Sequence, residues 1–253
     1  MSVAPKKELG QHFLVDQNIP RVIERLGRLE ADDVVLEIGP GLGVLTRFLA
    51  ERVTYVHAVE IDRSLEPQLR DIPRTTLHWG DAVKLDAATF DPAPTKLVSN
   101  LPYNVATPIV VESLDRLPAV GLWCVMVQRE VADRFFASPS TRAYGAVSVL
   151  IQLVAERTGF HPVSREVFRP RPNVDSALVA FRRVAPGVPP GVKRVVEGSF
   201  AHRRKTLANS LALSGVASRE RATDALEAIA RDPFTRAEAL SPPEFVELAA
   251  QLE

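Results

Sequence analysis

Asn100-Leu101-Pro102-Tyr103 closes the apolar run KLVS (96–99) and precedes the helical-looking stretch VATPIVVESLDRL (105–117). Asn and Pro both suit the bend that ends a strand, so turn chemistry explains part of this arrangement. A chemical reading is open beside it. The exocyclic amine of adenine is a poor nucleophile because its lone pair is delocalised into the ring, and methylation needs that pair turned toward the methyl group. The side-chain oxygen of Asn100 and a backbone carbonyl at Leu101 or Pro102 would accept from the two N–H groups and stabilise the positive charge growing on nitrogen. Pro102 lacks an N–H and fixes its own φ, which helps keep a carbonyl turned inward. Tyr103 could stack on a base that has left its helix. In-line positioning and fixed dipoles would carry the catalysis, and no general base is demanded, since the protonated product loses its proton readily to water.

Acids end the preceding apolar runs. Glu37 lies in VVLEIGPGLGVLTRFL (34–49), a strand, a glycine-rich turn and a helix. The glycines alone would permit a tight turn, but their spacing is informative. Gly39, Gly41 and Gly43 are two apart, and Val44 occupies the third-glycine position of the dinucleotide fingerprint G-x-G-x-x-G. Glu60, in YVHAVEI (55–61), is placed to accept both hydroxyls of a ribose, and Asp81, in WGDAV after TLHW (76–79), to accept from an adenine amino group. With no basic partner among them, these acids suit an adenosine that carries positive charge. The sulfonium of S-adenosylmethionine fits better than NAD.

The elements that position these residues follow from pattern. Near-continuous apolar runs at 34–38, 55–61, 76–79, 96–100 and 121–128 alternate with helical segments at 43–52, 64–71 and 105–117. That alternation predicts a doubly wound, Rossmann-like α/β domain with a mostly parallel sheet covered on both faces. In such a sheet the turns carrying Glu37, Glu60, Asp81 and Asn100 share the carboxyl edge, where ligands bind. RRVAPGVPPGV (182–192) reads as a linker. Beyond it, residues 193–213, 219–232 and 241–253 have helical periodicity with Ser or Pro near their starts. The expected domains are therefore a cofactor-binding methyltransferase domain at 1–184 and a small helical domain at 185–253.

Composition bounds the rest. The 253 residues are 46% hydrophobic and 25% charged, ordinary globular material with no apolar stretch long enough to cross a bilayer, so the chain reads as cytosolic. The lone Cys124, inside GLWCVMV, reads as a buried structural thiol, and no histidines or cysteine fall at metal-ligand spacing. Net charge is zero, yet residues 157–205 hold eleven Lys/Arg against three acids. A charge run is ordinarily a solvated face; an excess of this size on a neutral protein also fits a polyanion-binding surface.

N-L-P-Y, together with GQHFL (10–14), EIGPGLG (37–43), FRPRPNVDSALV (168–179) and FAHRRKTLANSL (200–211), closely resembles the bacterial small-subunit ribosomal RNA adenine dimethyltransferases, the kasugamycin-sensitivity methylases. The resemblance runs over nearly the whole chain. It implies S-adenosylmethionine-dependent conversion of two adjacent adenosines, in the hairpin loop near the 3′ end of 16S rRNA, to N6,N6-dimethyladenosine during small-subunit assembly. It further implies that His12 and Leu14 line the cofactor site, that Gly39, Glu60, Asp81 and Asn100 complete it, and that Asn100 also faces the target amine. Phe168 would stack on the target base opposite Tyr103, although burial preference alone puts Phe168 in the core. RNA contacts would run through Arg169, Arg171, Arg203, Arg204 and Lys205, with the protein acting as a monomer. Two departures stand out: His12 occupies a position where many members have asparagine, and Ala106 replaces a common serine, leaving Asn104 or Thr107 to cap the following helix. The rivals are a 23S rRNA adenine methylase conferring macrolide resistance, a non-catalytic RNA-binding assembly factor, and an NAD-dependent oxidoreductase. The Arg-Arg-Lys stretch at 203–205 with Pro108 disfavours the first, the intact acids with Asn100 and Tyr103 the second, and the glycine spacing the third.

Overall fold

The structure, a computed structural model, describes residues 6, 11–84 and 86–253. Gly10, which opens the GQHFL motif, lies outside the described residues. Nine strands are present among them: β1 (Phe13–Leu14), β2 (Val34–Ile38), β3 (Tyr55–Glu60), β4 (Thr75–Trp79), β5 (Lys96–Asn100), β6 (Leu122–Gln128), β7 (Ala155–Val163), β8 (Phe168–Arg169) and β9 (Ser176–Arg183). Seven of them form one sheet in the order β4-β3-β2-β5-β6-β9-β7.

Every residue of β2 is buried, because this strand is central and covered on both faces; β4, at the sheet edge, is half-buried throughout. Strands β4, β3, β2, β5 and β6 are mutually parallel, as expected, and β9 then pairs antiparallel with β6 from Leu122↔Arg182 to Gln128↔Ser176. The chain order reverses between β2 and β5, so the turns after these two strands lie side by side at the carboxyl edge. A separate ribbon pairs β1 with β8, Phe13 opposite Arg169 and Leu14 opposite Phe168. No periodicity signals a pairing of two residues with two others so far along the chain.

The helical expectations hold for Val44–Ala50 and Ala106–Arg116, while 64–71 is a 3-10 turn, Arg63–Leu65, running into the short helix Glu66–Leu69. Neither Asn104 nor Thr107 caps Ala106–Arg116, which starts at Val105 without a side-chain cap. The expected single helical run over 193–213 is two helices, Pro190–Phe200 and Leu207–Leu213. The break is built by hydrogen bonds: Ser210 Oγ donates to the Gly198 carbonyl at 2.7 Å and accepts from the His202 N–H at 3.1 Å. Arg203, Arg204 and Lys205 therefore sit in an exposed turn rather than on a helix.

The chain divides into two compact units, one holding the described residues up to Ala132 with Glu156–Arg183, the other Asp133–Ala155 with Val184–Glu253. The boundary between them falls at 183/184, and Asp133–Ala155 groups with the helical unit instead of with the sheet. Its helix Ala146–Val154 is almost wholly apolar, and the Tyr144 hydroxyl before it donates to the Leu240 carbonyl at 2.7 Å. Arg219–Ala228 and Pro242–Leu252 complete that unit; Ser218 caps the former, and Ser241 with Glu244 forms a capping box on the latter.

Candidate active site

One cavity in the sheet unit is walled by the turns after β2, β3 and β5 and by the segment 11–14. His12, Leu14, Gly39, Glu60, Asn100, Leu101, Pro102 and Tyr103, all expected from the sequence, line it. The glycine-rich turn is shaped by close approach. Gly39 has φ +73°, and a Cβ there would stand 3.2 Å from Pro102 Cγ; Gly41 has φ +57°, and a Cβ there would meet Phe13 Cδ1 at 2.9 Å. The two turns at the chain reversal thus pack directly on each other.

Glu60 Oε1 accepts from the N–H groups of Ile61 and Asp62, each at 2.9 Å, and Oε2 accepts from Gly41 N–H at a longer 3.3 Å. Oε2 is consequently the oxygen with capacity to spare for a ligand hydroxyl. Burial raises the Glu60 carboxyl pKa, and the backbone donors oppose that only in part. Glu37 is buried at the cavity wall with Oε2 unpartnered. Burial pushes its pKa up to about 8, with the nearby Glu60 charge adding to the effect.

Asp62 ties the N-terminal segment to the end of β3. Lys6 Nζ and Gln11 Nε2 donate to its two carboxylate oxygens at 2.6 and 3.0 Å, and Lys6 N–H donates to Gln11 Oε1 at 2.7 Å. Burial would raise the Asp62 carboxyl, but the bonds from Lys6, Ser64 and Gln11 outweigh it and hold the group well below the usual carboxylate range.

At the other end of the cavity, Asn100 Nδ2 donates to the His12 carbonyl at 3.3 Å. That bond assigns the side-chain orientation and leaves Oδ1 buried with no hydrogen-bond partner. An unpartnered buried acceptor is costly unless a ligand donor completes it. Tyr103 is held by a 2.5 Å hydrogen bond between its hydroxyl and Ser176 Oγ, with its ring centroid 5.4 Å from that of His12.

Two expected site residues fall elsewhere. Phe168 is fully buried in the hydrophobic core, because its pairing opposite Leu14 in the β1–β8 ribbon turns the ring inward, and it presents no face to a base. Asp81 does not line the cavity; its Oδ1 accepts from the Val83 N–H at 3.0 Å and so caps the turn after β4. Conversely, Gln11, Phe13, Leu42 and Ile61 line the cavity without having been singled out. Gln11 and Phe13 lay inside the GQHFL motif, and Ile61, directly after Glu60, is 56% exposed, an unusual position for an isoleucine that has no ligand to cover it. Cys124 is fully buried and its thiol is pushed up to about 12 by burial, as a structural cysteine would be.

A family description, ribosomal RNA adenine dimethylase, matches residues 4–249. The chain belongs to this family. It is an rRNA adenine dimethyltransferase that uses S-adenosylmethionine as methyl donor. The dimethyltransferase is 46% identical over 250 residues to ribosomal RNA small subunit methyltransferase A of Rubrobacter xylanophilus, covering 96% of this chain and 94% of that one. To the protein of the same name from Kineococcus radiotolerans it is 45% identical, covering 99% and 87%. Among solved structures it resembles a dimethyladenosine transferase from Plasmodium falciparum, with a TM-score of 0.80 at 22% identity over 94% of this chain and 96% of that one. It also resembles the 23S rRNA methyltransferase ErmE, with a TM-score of 0.67 at 26% identity over 95% and 99%. Family membership sets aside the oxidoreductase and the non-catalytic readings. Among the described residues, no helix is long and apolar enough to cross a membrane.

The cavity of this dimethyltransferase fits a sulfonium nucleoside. Two acids face it without a cationic partner inside the wall, the glycine turn brings its backbone close against Pro102 and Phe13, and Ile61 offers an apolar surface beside Glu60.

Proposed function

We propose that the target is the small-subunit rRNA, with two adjacent adenosines in the 3′-terminal hairpin loop of 16S rRNA converted to N6,N6-dimethyladenosine during subunit assembly in the cytoplasm, by a monomer. The names carried by the relatives above support the small-subunit target over the large-subunit one.

S-adenosylmethionine supplies a methyl group made electrophilic by its sulfonium. Glu60 Oε2 would hold its ribose, with Gly39, Leu14 and His12 as the surrounding wall, and Glu37 would balance its positive charge. The observation that carries the catalytic reading is the unpartnered, buried Oδ1 of Asn100. That oxygen, with the carbonyl of Leu101 or Pro102, would accept from the N6 amine and localise its lone pair, and the preformed dipoles would stabilise the charge developing on nitrogen. Tyr103, its hydroxyl anchored on Ser176, would stack on the flipped base.

The test is methyl transfer from labelled S-adenosylmethionine to undermethylated small and large subunits, with modified positions mapped by primer extension. Labelling confined to two adjacent small-subunit adenosines is expected; transfer only to large-subunit RNA would refute the target. Asn100→Ala is expected to lower kcat by about 100-fold or more, the scale of losing one preorganised transition-state contact, while cofactor binding, measured by equilibrium dialysis, survives. Full activity in Asn100→Ala would remove the orienting role.

A further inference from the structure

His12 belongs to the same wall, and its ring is fixed from two sides. Nδ1 lies 2.8 Å from the carbonyl oxygen of Pro170. A carbonyl only accepts, so Nδ1 carries the hydrogen and the lone pair of the neutral ring is at Nε2. Nε2 has no hydrogen-bond partner among the described residues. The ring is tilted 30° to that of Tyr103, and the backbone carbonyl of His12 is the acceptor that orients Asn100. The imidazole is therefore at the end of the cavity where the amine-orienting groups converge.

The other ionisable groups around it are unsuited to taking a proton from that amine. Tyr103 is neutral, its pKa raised by burial, and Glu37 and Glu60 belong to the β2 and β3 side of the cavity. Arg169, preceding Pro170, is a cation, and Asp62 behind Gln11 is already paired with Lys6. The oxygens of Asn100, Leu101 and Pro102 accept hydrogen bonds but are not bases near neutral pH. Histidine is the side chain suited to exchange a proton in the range from about pH 5 to 8.

Resting on the reading that an adenine N6 amine is methylated here, we propose that His12 Nε2 accepts the proton that this amine must lose after each methyl transfer. In this step the N6–H bond breaks, its electron pair stays on nitrogen and cancels the ammonium charge, and a new N–H bond forms at Nε2; the imidazolium then passes the proton to water. Water also takes this proton; the imidazole gives it a shorter path between two additions to one amine, because the second methylation needs the lone pair that the proton occupies.

Two measurements test the assignment. The first is kcat for both methyl additions on undermethylated small subunits as a function of pH, for the unmodified chain, His12→Asn and His12→Gln. The unmodified enzyme is expected to lose about tenfold in kcat on acidification across the imidazole range, with monomethyl product accumulating. Both variants should lack that acidic limb, being slower near neutral pH and nearly flat below it. The second is the 15N spectrum of His12 in the full chain without RNA, expected to show the Nδ1-protonated tautomer. The same acidic limb in the variants, or an Nε2-protonated ring, overturns the assignment. If His12→Asn does not fold, His12→Gln and the spectrum decide. Failure of the target reading looks different: the unmodified enzyme would then transfer nothing to small subunits at any pH.

Discussion

Asn100 and Glu37 occupy the same wall but obey different physics. The Asn100 oxygen is a neutral acceptor fixed by one bond to the His12 carbonyl, so its contribution is geometric and independent of pH. Glu37 is an acid held neutral by burial, with a pKa of about 8 in place of the ordinary 4.5. A cationic ligand stabilises the carboxylate, so binding must drive the proton off, and affinity for S-adenosylmethionine should tighten as pH rises toward 8. Isothermal titration from about pH 6.5 upward should show a slope of up to about tenfold per unit, with proton release, and Glu37→Gln should flatten it. Folding runs the other way. Because the folded pKa is raised, the stability that Glu37 contributes is present below about pH 4.5 and is lost as pH rises through 8. Glu37, Glu60 and Asn100 were legible as chemistry because each lies at the end of an apolar run; for Phe168 burial preference alone pointed to the core, where it lies, and only the family resemblance had set it against a base.

At the scale of elements, the edge of the sheet carries a second pH-sensitive feature. His57 on β3 is buried; its Nδ1 lies 3.0 Å from His78 Nε2 on β4, its Nε2 lies 2.8 Å from the Pro92 carbonyl, and Phe90 packs against both rings. The carbonyl takes a hydrogen from Nε2, so in the neutral His57 ring Nδ1 accepts and His78 Nε2 donates; the two rings cannot both be protonated, because two N–H groups would then face each other. Burial lowers both pKa values, and each ring's charge would disfavour the other's. With folded values below 6.5, the stability this pair contributes is present above that pH and is lost as pH falls through the folded values. The melting temperature should therefore drop between about pH 7.5 and 5.5, and the drop should be smaller in His57→Gln; equal drops in both proteins would place the acid sensitivity elsewhere. The strands of this sheet were readable because burial on both faces leaves an unbroken apolar run, as in VVLEI. The β1–β8 ribbon was not, since its register exists only once the sheet has brought Phe168 beside Leu14.

At the scale of the whole molecule, the basic excess is not a uniform surface. Arg203 donates to the Tyr144 carbonyl at 2.9 Å and faces Glu238 at 3.8 Å, Arg171 pairs with Glu166 at 2.8 Å, and Arg169 bonds the carbonyls of Glu166 and Phe168. Arg204 and Lys205, exposed in the same turn, have no such partner among the described residues. They are the side chains with charge to spend on phosphates. Replacing both with Ala should weaken subunit binding and make the slope of log K against log salt shallower by about one to two; an unchanged slope would return the turn to an ordinary solvated surface. The sequence by itself determined the alternation of strand and helix, the acids and Asn100 at one sheet edge, the change to a helical C-terminal part and the family, because each is written in local spacing or contiguous motif. Only the tertiary structure decided that Asp133–Ala155 joins the helical unit, that Asp81 is a cap, and that Asn100 leaves an acceptor open. Those outcomes depend on which distant groups meet, such as the His12 carbonyl on Asn100 and Ser176 on Tyr103, and on the burial that follows, neither of which local pattern encodes.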